Sequence, residues 1–315
     1  MAIQFPAPLR PGDRVGVTSP SMGVPPRDRA RLEQAVEEVH GRGYQVVMGA
    51  CMDGASHVSA PAADRAGELM TMLADPSIRA VVPPRGGETA IDLLPLLDWD
   101  AIAAAEPTWF VGFSDISTLL LPVTLRSAIA TLHSNNLMNT PYRIRRPLLT
   151  WLDVAALPAG ASFIQSSPGT RLDGDGAVDV TGRLIGGCVE TVRHLAGTPY
   201  GDVARFGTEQ APEGFIVYVE AASDDAFAVC RSLHGMRLAG FFAAARAVLV
   251  GRTIAPESET LTQKEAVLDA LGGLGVPIIA DVGCGHVPPY LPIVNGALGR
   301  LQFGAGSATL TQSLS

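Results

Sequence analysis

The stretch Thr108-Trp109-Phe110-Val111-Gly112-Phe113-Ser114-Asp115-Ile116-Ser117-Thr118-Leu119 decides how the chain is read. Residues 108–113 form an apolar run of strand length, and residues 116–126 carry a helical pattern that begins directly after it. A buried strand that enters a helix through Gly, an aromatic residue and Ser is the local frame of a nucleophile elbow. The sharp turn lifts the hydroxyl above the sheet, and the helix start offers free N–H groups to a developing oxyanion. The hydrolase pattern G-x-S-x-G is incomplete, because Ile116 stands at its last position. The other reading of the same residues is that Ser114 or Asp115 simply caps the helix.

Working outward, strand and helix signals alternate. Strands are predicted at residues 14–20, 44–48, 78–82 and 129–133. Helices are predicted at 26–40, with Leu32, Val36 and Val39 on one face, at 62–74, with Leu69, Met72 and Leu73, and at 88–97. Such alternation implies βαβ units and a mostly parallel sheet, whose sites gather at the carboxyl ends of the strands. Residues 158–176 are rich in Gly, Ser, Pro and Asp and read as a linker. It separates an N-terminal α/β domain (1–157) from a C-terminal domain (177–315). In the second domain, strands are expected at 182–185, 215–219, 247–250 and 278–281, with helices at 188–195, 224–238 and 263–271.

Composition narrows the function. The 315 residues carry 23 Lys plus Arg against 31 Asp plus Glu, a net charge of −8, which argues against a phosphate-neutralising nucleic-acid binder. No apolar run reaches the length of a membrane span, and the first 13 residues show no secretory signal, so a cytoplasmic protein is expected. The four cysteines, Cys51, Cys188, Cys230 and Cys284, form no C-x-x-C pair and read as free thiols.

Three further constellations carry chemistry. Arg85-Gly86-Gly87 follows the third strand, where a glycine pair permits close approach of backbone to a ligand; it is otherwise an ordinary turn. Glu220 closes the apolar strand Phe215-Ile216-Val217-Tyr218-Val219, where it could orient a histidine or cap the next helix. His286 lies in Cys284-Gly285-His286-Val287-Pro288-Pro289, with small neighbours that leave the imidazole accessible; Cys284 and His286 alone make a poor metal site. His133 closes the fifth strand, near the same end of the sheet. Ser114, Glu220 and His286 thus follow the order nucleophile, acid, base found in α/β hydrolases, each at a predicted strand end.

These residues resemble the LD-carboxypeptidase family of serine peptidases (S66), which includes the microcin C immunity proteins. The resemblance runs over nearly the whole chain. It includes Leu9-Arg10-Pro11-Gly12-Asp13, Arg85-Gly86-Gly87, Gly112-Phe113-Ser114-Asp115, Gly186-Gly187, Gly197-Thr198-Pro199-Tyr200, Val219-Glu220 and Gly285-His286. It implies a flavodoxin-like or class I amidotransferase-like N-terminal parallel-sheet domain and a smaller C-terminal α/β swivelling domain, with the active site between them. It also implies a Ser114–Glu220–His286 triad, no cofactor and no metal, a small peptide or peptide–nucleotide substrate, and a homodimer. The oxyanion hole would use Asp115 with Gly86 or Gly87, and Arg85, Glu88, His133 and Asn135 would face the substrate.

The chain departs from many relatives at Glu88-Thr89, His133-Ser134-Asn135-Asn136 and Gly186-Gly187-Cys188, all near the expected substrate site. A nucleotide-binding branch would use an aromatic platform, for which Trp151 and Tyr142 are available. A murein-peptide branch needs cations for the terminal carboxylate, for which Arg85, Arg143 and Arg145 are available. Two competing functions remain at this point: a cysteine-dependent amidotransferase-like enzyme, and a catalytically silent protein that sequesters a peptide or nucleotide.

Overall fold

The computed structural model describes residues 2–315. The chain divides into two compact units, residues 3–159 and residues 160–315, the latter joined by Ala2. Among the described residues, no helix is long and apolar enough to cross a membrane.

The first unit is built in βαβ order: β1 (Arg14–Val17), α1 (Arg29–Gly41), β2 (Gln45–Met48), α2 (Ala62–Ala74), β3 (Ile78–Val81), α3 (Trp99–Ala104), β4 (Trp109–Gly112), α4 (Ser117–Ser127), β5 (Thr131–His133) and α5 (Trp151–Ala155). The strands pair in the order β5-β4-β3-β1-β2, every pair parallel. All four residues of β4 are buried, as a strand covered on both faces requires. The parallel sheet expected from the alternating pattern is therefore present. The helix expected at 88–97 is not: only Ala90–Leu93 winds, as a 3-10 turn. Pro95 accounts for this, since it lacks an N–H and its ring crowds the carbonyl four residues back.

The second unit contains β6 (Ser162–Pro168), β7 (Thr170–Arg171), β8 (Val178–Cys188), α6 (Val189–Val192), α7 (Val203–Gln210), β9 (Phe215–Glu220), α8 (Ala226–Leu238), β10 (Ala245–Gly251), α9 (Gln263–Leu271), β11 (Ile278–Val282), β12 (Ile293–Asn295), β13 (Leu298–Gly304) and β14 (Ser307–Ser313). Its eight-stranded sheet runs β6-β14-β13-β8-β9-β10-β11-β7. The centre, β8 to β11, is parallel, and the flanking pairs are antiparallel.

The stretch read as a linker, 158–176, thus contributes two strands, and the two units are nearly equal in length. In β6 the side chains alternate between exposed and buried, with Phe163, Gln165 and Ser167 turned inward. Only one of those three is apolar, so the period-2 signal is weak in the sequence.

Candidate active site

In the first unit, β4 ends at Gly112, and the chain turns at Ser114 into α4. Ser114 has φ +62, in the left-handed region that a side chain other than Asn or Asp rarely adopts. Neither Ser114 nor Asp115 accepts a capping bond at this helix start. The elbow reading therefore describes the local geometry, and the capping alternative does not. Gly112 is obligatory here: a Cβ on it would lie 2.6 Å from Ile116 Cγ2 and 2.8 Å from Asn136 Oδ1.

The glycine pair after β3 packs beside this elbow. A Cβ on Gly86 would meet Ser114 Cβ at 3.1 Å, Ser114 Oγ at 3.2 Å and the Asp115 nitrogen at 3.4 Å. Gly87 is directed elsewhere: a Cβ there would lie 2.2 Å from Ser21 Oγ. Of the two glycines, Gly86 is the one whose backbone borders the hydroxyl.

The Asp115 carboxylate is not a cap of the following helix but a buried strut. It accepts hydrogen bonds from Ser21 Oγ (2.5 Å), Ala90 N (2.9 Å) and Thr118 Oγ1 (3.3 Å). It ties the loop after β1, the glycine turn after β3 and the elbow after β4 into one body. Arg65 supports the same loop from below, fully buried, with Nη1 donating to the Pro20 carbonyl and Nη2 to Asp92.

The residues expected to face substrate separate into groups. Glu88 is exposed. Arg85 is part-exposed and pairs with Asp28 at 3.4 Å. Arg143 and Arg145 lie on the surface, and Arg143 pairs with Glu38. His133 is buried with its ring edge-on to Phe113, centroids 6.5 Å apart. Asn135 and Ser134, both 4% exposed, keep Asn135 Nδ2 and Ser134 Oγ without a hydrogen-bond partner among the described residues. Trp151 is not available as a platform: it is fully buried and its Nε1 donates to Thr140 Oγ1. Tyr142 is held by Leu137 O and covered by Arg42.

In the second unit, the acid and the base meet. Glu220 is the last residue of β9 and is fully buried, and His286 follows β11 on a loop. His286 Nδ1 lies 2.8 Å from Glu220 Oε2. A carboxylate only accepts, so Nδ1 carries the proton and the neutral ring keeps its lone pair on Nε2. Burial by itself would lower the imidazole pKa, but the hydrogen bond and charge of Glu220, with the charge of Glu190, hold it above its ordinary 6.5. Two glycines make room for the pair. A Cβ on Gly285, at φ +92, would lie 2.4 Å from Glu220 Oε2, and one on Gly251 would lie 2.7 Å from Glu220 Cβ. Arg252 donates to Val287 O and Pro289 O and so pins the histidine loop.

Glu220 does not cap the next helix. That cap is Asp225, which accepts from Ala228 N, and Glu190 holds the intervening turn by accepting from the N–H groups of Ala222, Ser223 and Asp224. The thiol of Cys188 donates to the other oxygen of Glu190 at 3.0 Å. Burial raises the Cys188 pKa well above its usual value, and the charges of Glu220 and Glu190 raise it further. Burial likewise pushes up Cys284 and Cys51, the latter to about 11, so none of these three thiols has the low pKa of a nucleophilic cysteine.

Comparison with known proteins matches residues 15–134 to the LD-carboxypeptidase N-terminal domain and residues 181–301 to the LD-carboxypeptidase C-terminal domain. The chain belongs to the LD-carboxypeptidase family. It is 31% identical to a Streptomyces coelicolor protein named as a carboxypeptidase, covering 97% of this chain and 95% of the relative. It is 32% identical to the murein tetrapeptide carboxypeptidase of Pseudomonas aeruginosa over 62% of each chain. In fold it is similar to the microcin C7 self-immunity protein, solved in complex with glutamyl sulfamoyl guanosine, at TM-score 0.82 and 22% identity over 98% of this chain and 99% of that one. As a member of the LD-carboxypeptidase family, the protein is a peptidase of the serine class.

Proposed function

We propose that this LD-carboxypeptidase hydrolyses the amide bond next to the terminal residue of a short peptide, with Ser114 as nucleophile, His286 as base and then acid, and Glu220 as the group that orients His286. The reading is carried above all by the backbone of Ser114. A non-glycine residue held at φ +62 where a strand passes into a helix is strain that ordinary capping does not require.

The chemistry runs in two halves. Nε2 of His286 takes the Ser114 proton as Oγ attacks the substrate carbonyl, and the N–H groups of Asp115 and Gly86 receive the oxyanion. The imidazolium then protonates the leaving amine, so an acyl-serine remains. Water repeats the sequence, with His286 taking its proton, and releases the shortened peptide with Ser114 restored. Glu220 stays ionised and stabilises the imidazolium in both halves.

Two observations favour a murein-type peptide over a peptide–nucleotide conjugate. The burial of Trp151 removes one aromatic platform for a base, and the bonds of Tyr142 occupy the other. Asn135 Nδ2 and Ser134 Oγ are buried donors, each costing about 1–3 kcal/mol while unpaired, which suits an anchor for a substrate carboxylate.

The test is a mass-spectrometric assay with a murein tetrapeptide and with glutamyl sulfamoyl adenosine, alongside fluorophosphonate labelling. The expected result is release of the terminal D-residue and covalent labelling at Ser114, both lost in Ser114→Ala with the fold intact. Turnover by Ser114→Ala at the rate of the parent protein would refute the assignment, and tight binding with unchanged ligand would favour a sequestering protein.

A further inference from the structure

The carboxyl ends of β8 and β9 place a sulfur, an oxygen and a nitrogen donor around one point. The parallel register sets Cys188 directly beside Glu220, and the loop after β11 brings His286 onto the same spot. One ligand atom from each of Cys188, Glu220 and His286 lies within 4.8 Å of the other two. We propose that these three side chains form a binding site for a thiophilic divalent cation of the zinc class, and that the bound ion silences the enzyme.

The geometry suits such an ion. Zinc bonds of about 2.3 Å to sulfur and about 2.0–2.2 Å to nitrogen and oxygen put tetrahedral donors roughly 3.3–3.7 Å apart. That arrangement takes contraction of the widest separation and a slight opening of the 2.8 Å His286–Glu220 contact. Cys188 and Glu220 are buried, and the part-exposed His286 gives the ion access and leaves a fourth position for water.

The proton balance is simple. The Cys188 thiol is protonated and donates to Glu190, and metal binding replaces that proton, which leaves to solvent; where Nδ1 of His286 is the ligand atom, its own proton passes to Nε2 and the ring stays neutral. No electron moves. The positive ion offsets the charge that the thiolate would bring beside Glu220 and Glu190. Whichever ring nitrogen of His286 binds the metal, the histidine loses either its bond to Glu220 or the lone pair that accepts a proton. The binding stands on the three side chains alone; the silencing rests on the Ser114–His286–Glu220 reading.

A second cluster competes for the same ion. Cys230, His234 and Asp269 also bring their donors within 4.8 Å, on the facing surfaces of α8 and α9. It is more exposed, and the Arg237 guanidinium lies 3.2 Å from His234 Nδ1, a fixed cation beside the incoming one. The experiment must therefore separate the two sites.

Full-length protein is stripped with a chelator and titrated with Co²⁺, read by the thiolate-to-cobalt charge-transfer band and the visible bands of tetrahedral cobalt. The expected result is saturation at one equivalent, lost in Cys188→Ser and in His286→Ala and kept in Cys230→Ser. In Cys188→Ser a hydroxyl remains to donate to Glu190. Zn²⁺ should bleach the bands. In parallel, murein-tetrapeptide hydrolysis by the parent protein, Cys188→Ser and Cys230→Ser is measured with and without Zn²⁺, each against its own chelated baseline. Cys188→Ser should need at least about 10-fold more Zn²⁺ for half-inhibition. Absence of the band, or a band that survives Cys188→Ser, overturns the site; loss in Cys230→Ser would move it to the α8–α9 cluster. A saturated band with undiminished hydrolysis overturns the silencing. If the parent protein does not hydrolyse the peptide at all, the proposed function fails while the cobalt titration still decides the metal site.

Discussion

Nδ1 of His286 and Oε2 of Glu220 lie 2.8 Å apart, and the carboxylate at one end of that bond is fully buried at the tip of β9. The bond fixes which ring nitrogen carries the proton, so in the proposed triad Glu220 would act through tautomer and charge rather than by contact with substrate. Glu220→Gln keeps the shape but presents an amide that can donate as well as accept, which removes the constraint on the imidazole. The expected loss in kcat is about 10⁴-fold, as for the equivalent change in other Ser–His–acid sites. Steady-state kinetics with a folded variant check this, and KM should change far less than kcat.

If His286 is the base, the same pair governs the pH dependence. Burial would lower the imidazole pKa, but the hydrogen bond and charge of Glu220 and the charge of Glu190 raise it above 6.5. The base must be neutral to act, so a raised pKa moves the acid limb of kcat/KM to higher pH. The profile should therefore fall off, with decreasing pH, at a value above the ordinary imidazole range. In Glu190→Gln one of the raising charges is gone, and the limb should shift toward lower pH while its shape is kept.

Gly86 borders Ser114 without room for a side chain. A methyl placed there would sit 3.1 Å from Ser114 Cβ and 3.4 Å from the Asp115 nitrogen. The crowding would displace the hydroxyl or the proposed oxyanion donor, which in the proposed mechanism act in the transition state. Gly86→Ala should lower kcat by about 10²–10³-fold. Its urea midpoint should stay close to that of the parent, because the φ of Gly86 is not in the left-handed region and the contact is at the edge of the turn.

The parallel sheet of the first unit was readable because β1, β3 and β4 are short apolar runs separated by amphipathic helices. The placement of Ser114, Glu220 and His286 at or just beyond strand ends was readable because each stands at or shortly after such a run. What escaped the sequence depended on long-range pairing. β13 and β14 carry few large apolar residues; they pair with each other as a hairpin and enter the sheet by pairing with β8 and β6 over more than a hundred residues. The carboxylates of Asp115 and Glu190 looked like any helix-proximal acid, yet each collects bonds from a distant loop. The nearness of Cys188 to Glu220 follows only from the β8–β9 register, which no local pattern encodes.

Glu190 is the clearest case of a structural acid hidden in the sequence. One oxygen accepts from three consecutive backbone N–H groups, at 2.7, 2.8 and 3.0 Å. Those bonds and the thiol of Cys188 outweigh the burial that would raise its pKa, which they hold below the usual carboxylate value. Glu190→Ala leaves the three N–H groups without their acceptor between β9 and α8. The expected cost is about 2–3 kcal/mol, read as a lower urea midpoint, since partial solvation of the turn recovers part of what is lost. Glu190→Gln retains an acceptor oxygen and should lose markedly less.

The strain at Ser114 can be measured directly by comparing two inactive variants. Ser114→Ala removes the hydroxyl but keeps a Cβ at φ +62, so the backbone penalty remains. Ser114→Gly removes both. The left-handed conformation costs an L-residue roughly 1–2 kcal/mol, and glycine's greater loss of chain entropy offsets part of the relief. Ser114→Gly should therefore be more stable than Ser114→Ala by about 1 kcal/mol in urea unfolding, with neither showing turnover. Equal stability of the two would mean that the elbow relaxes once the hydroxyl is gone, and that the strain belongs to the side chain's own contacts rather than to the turn.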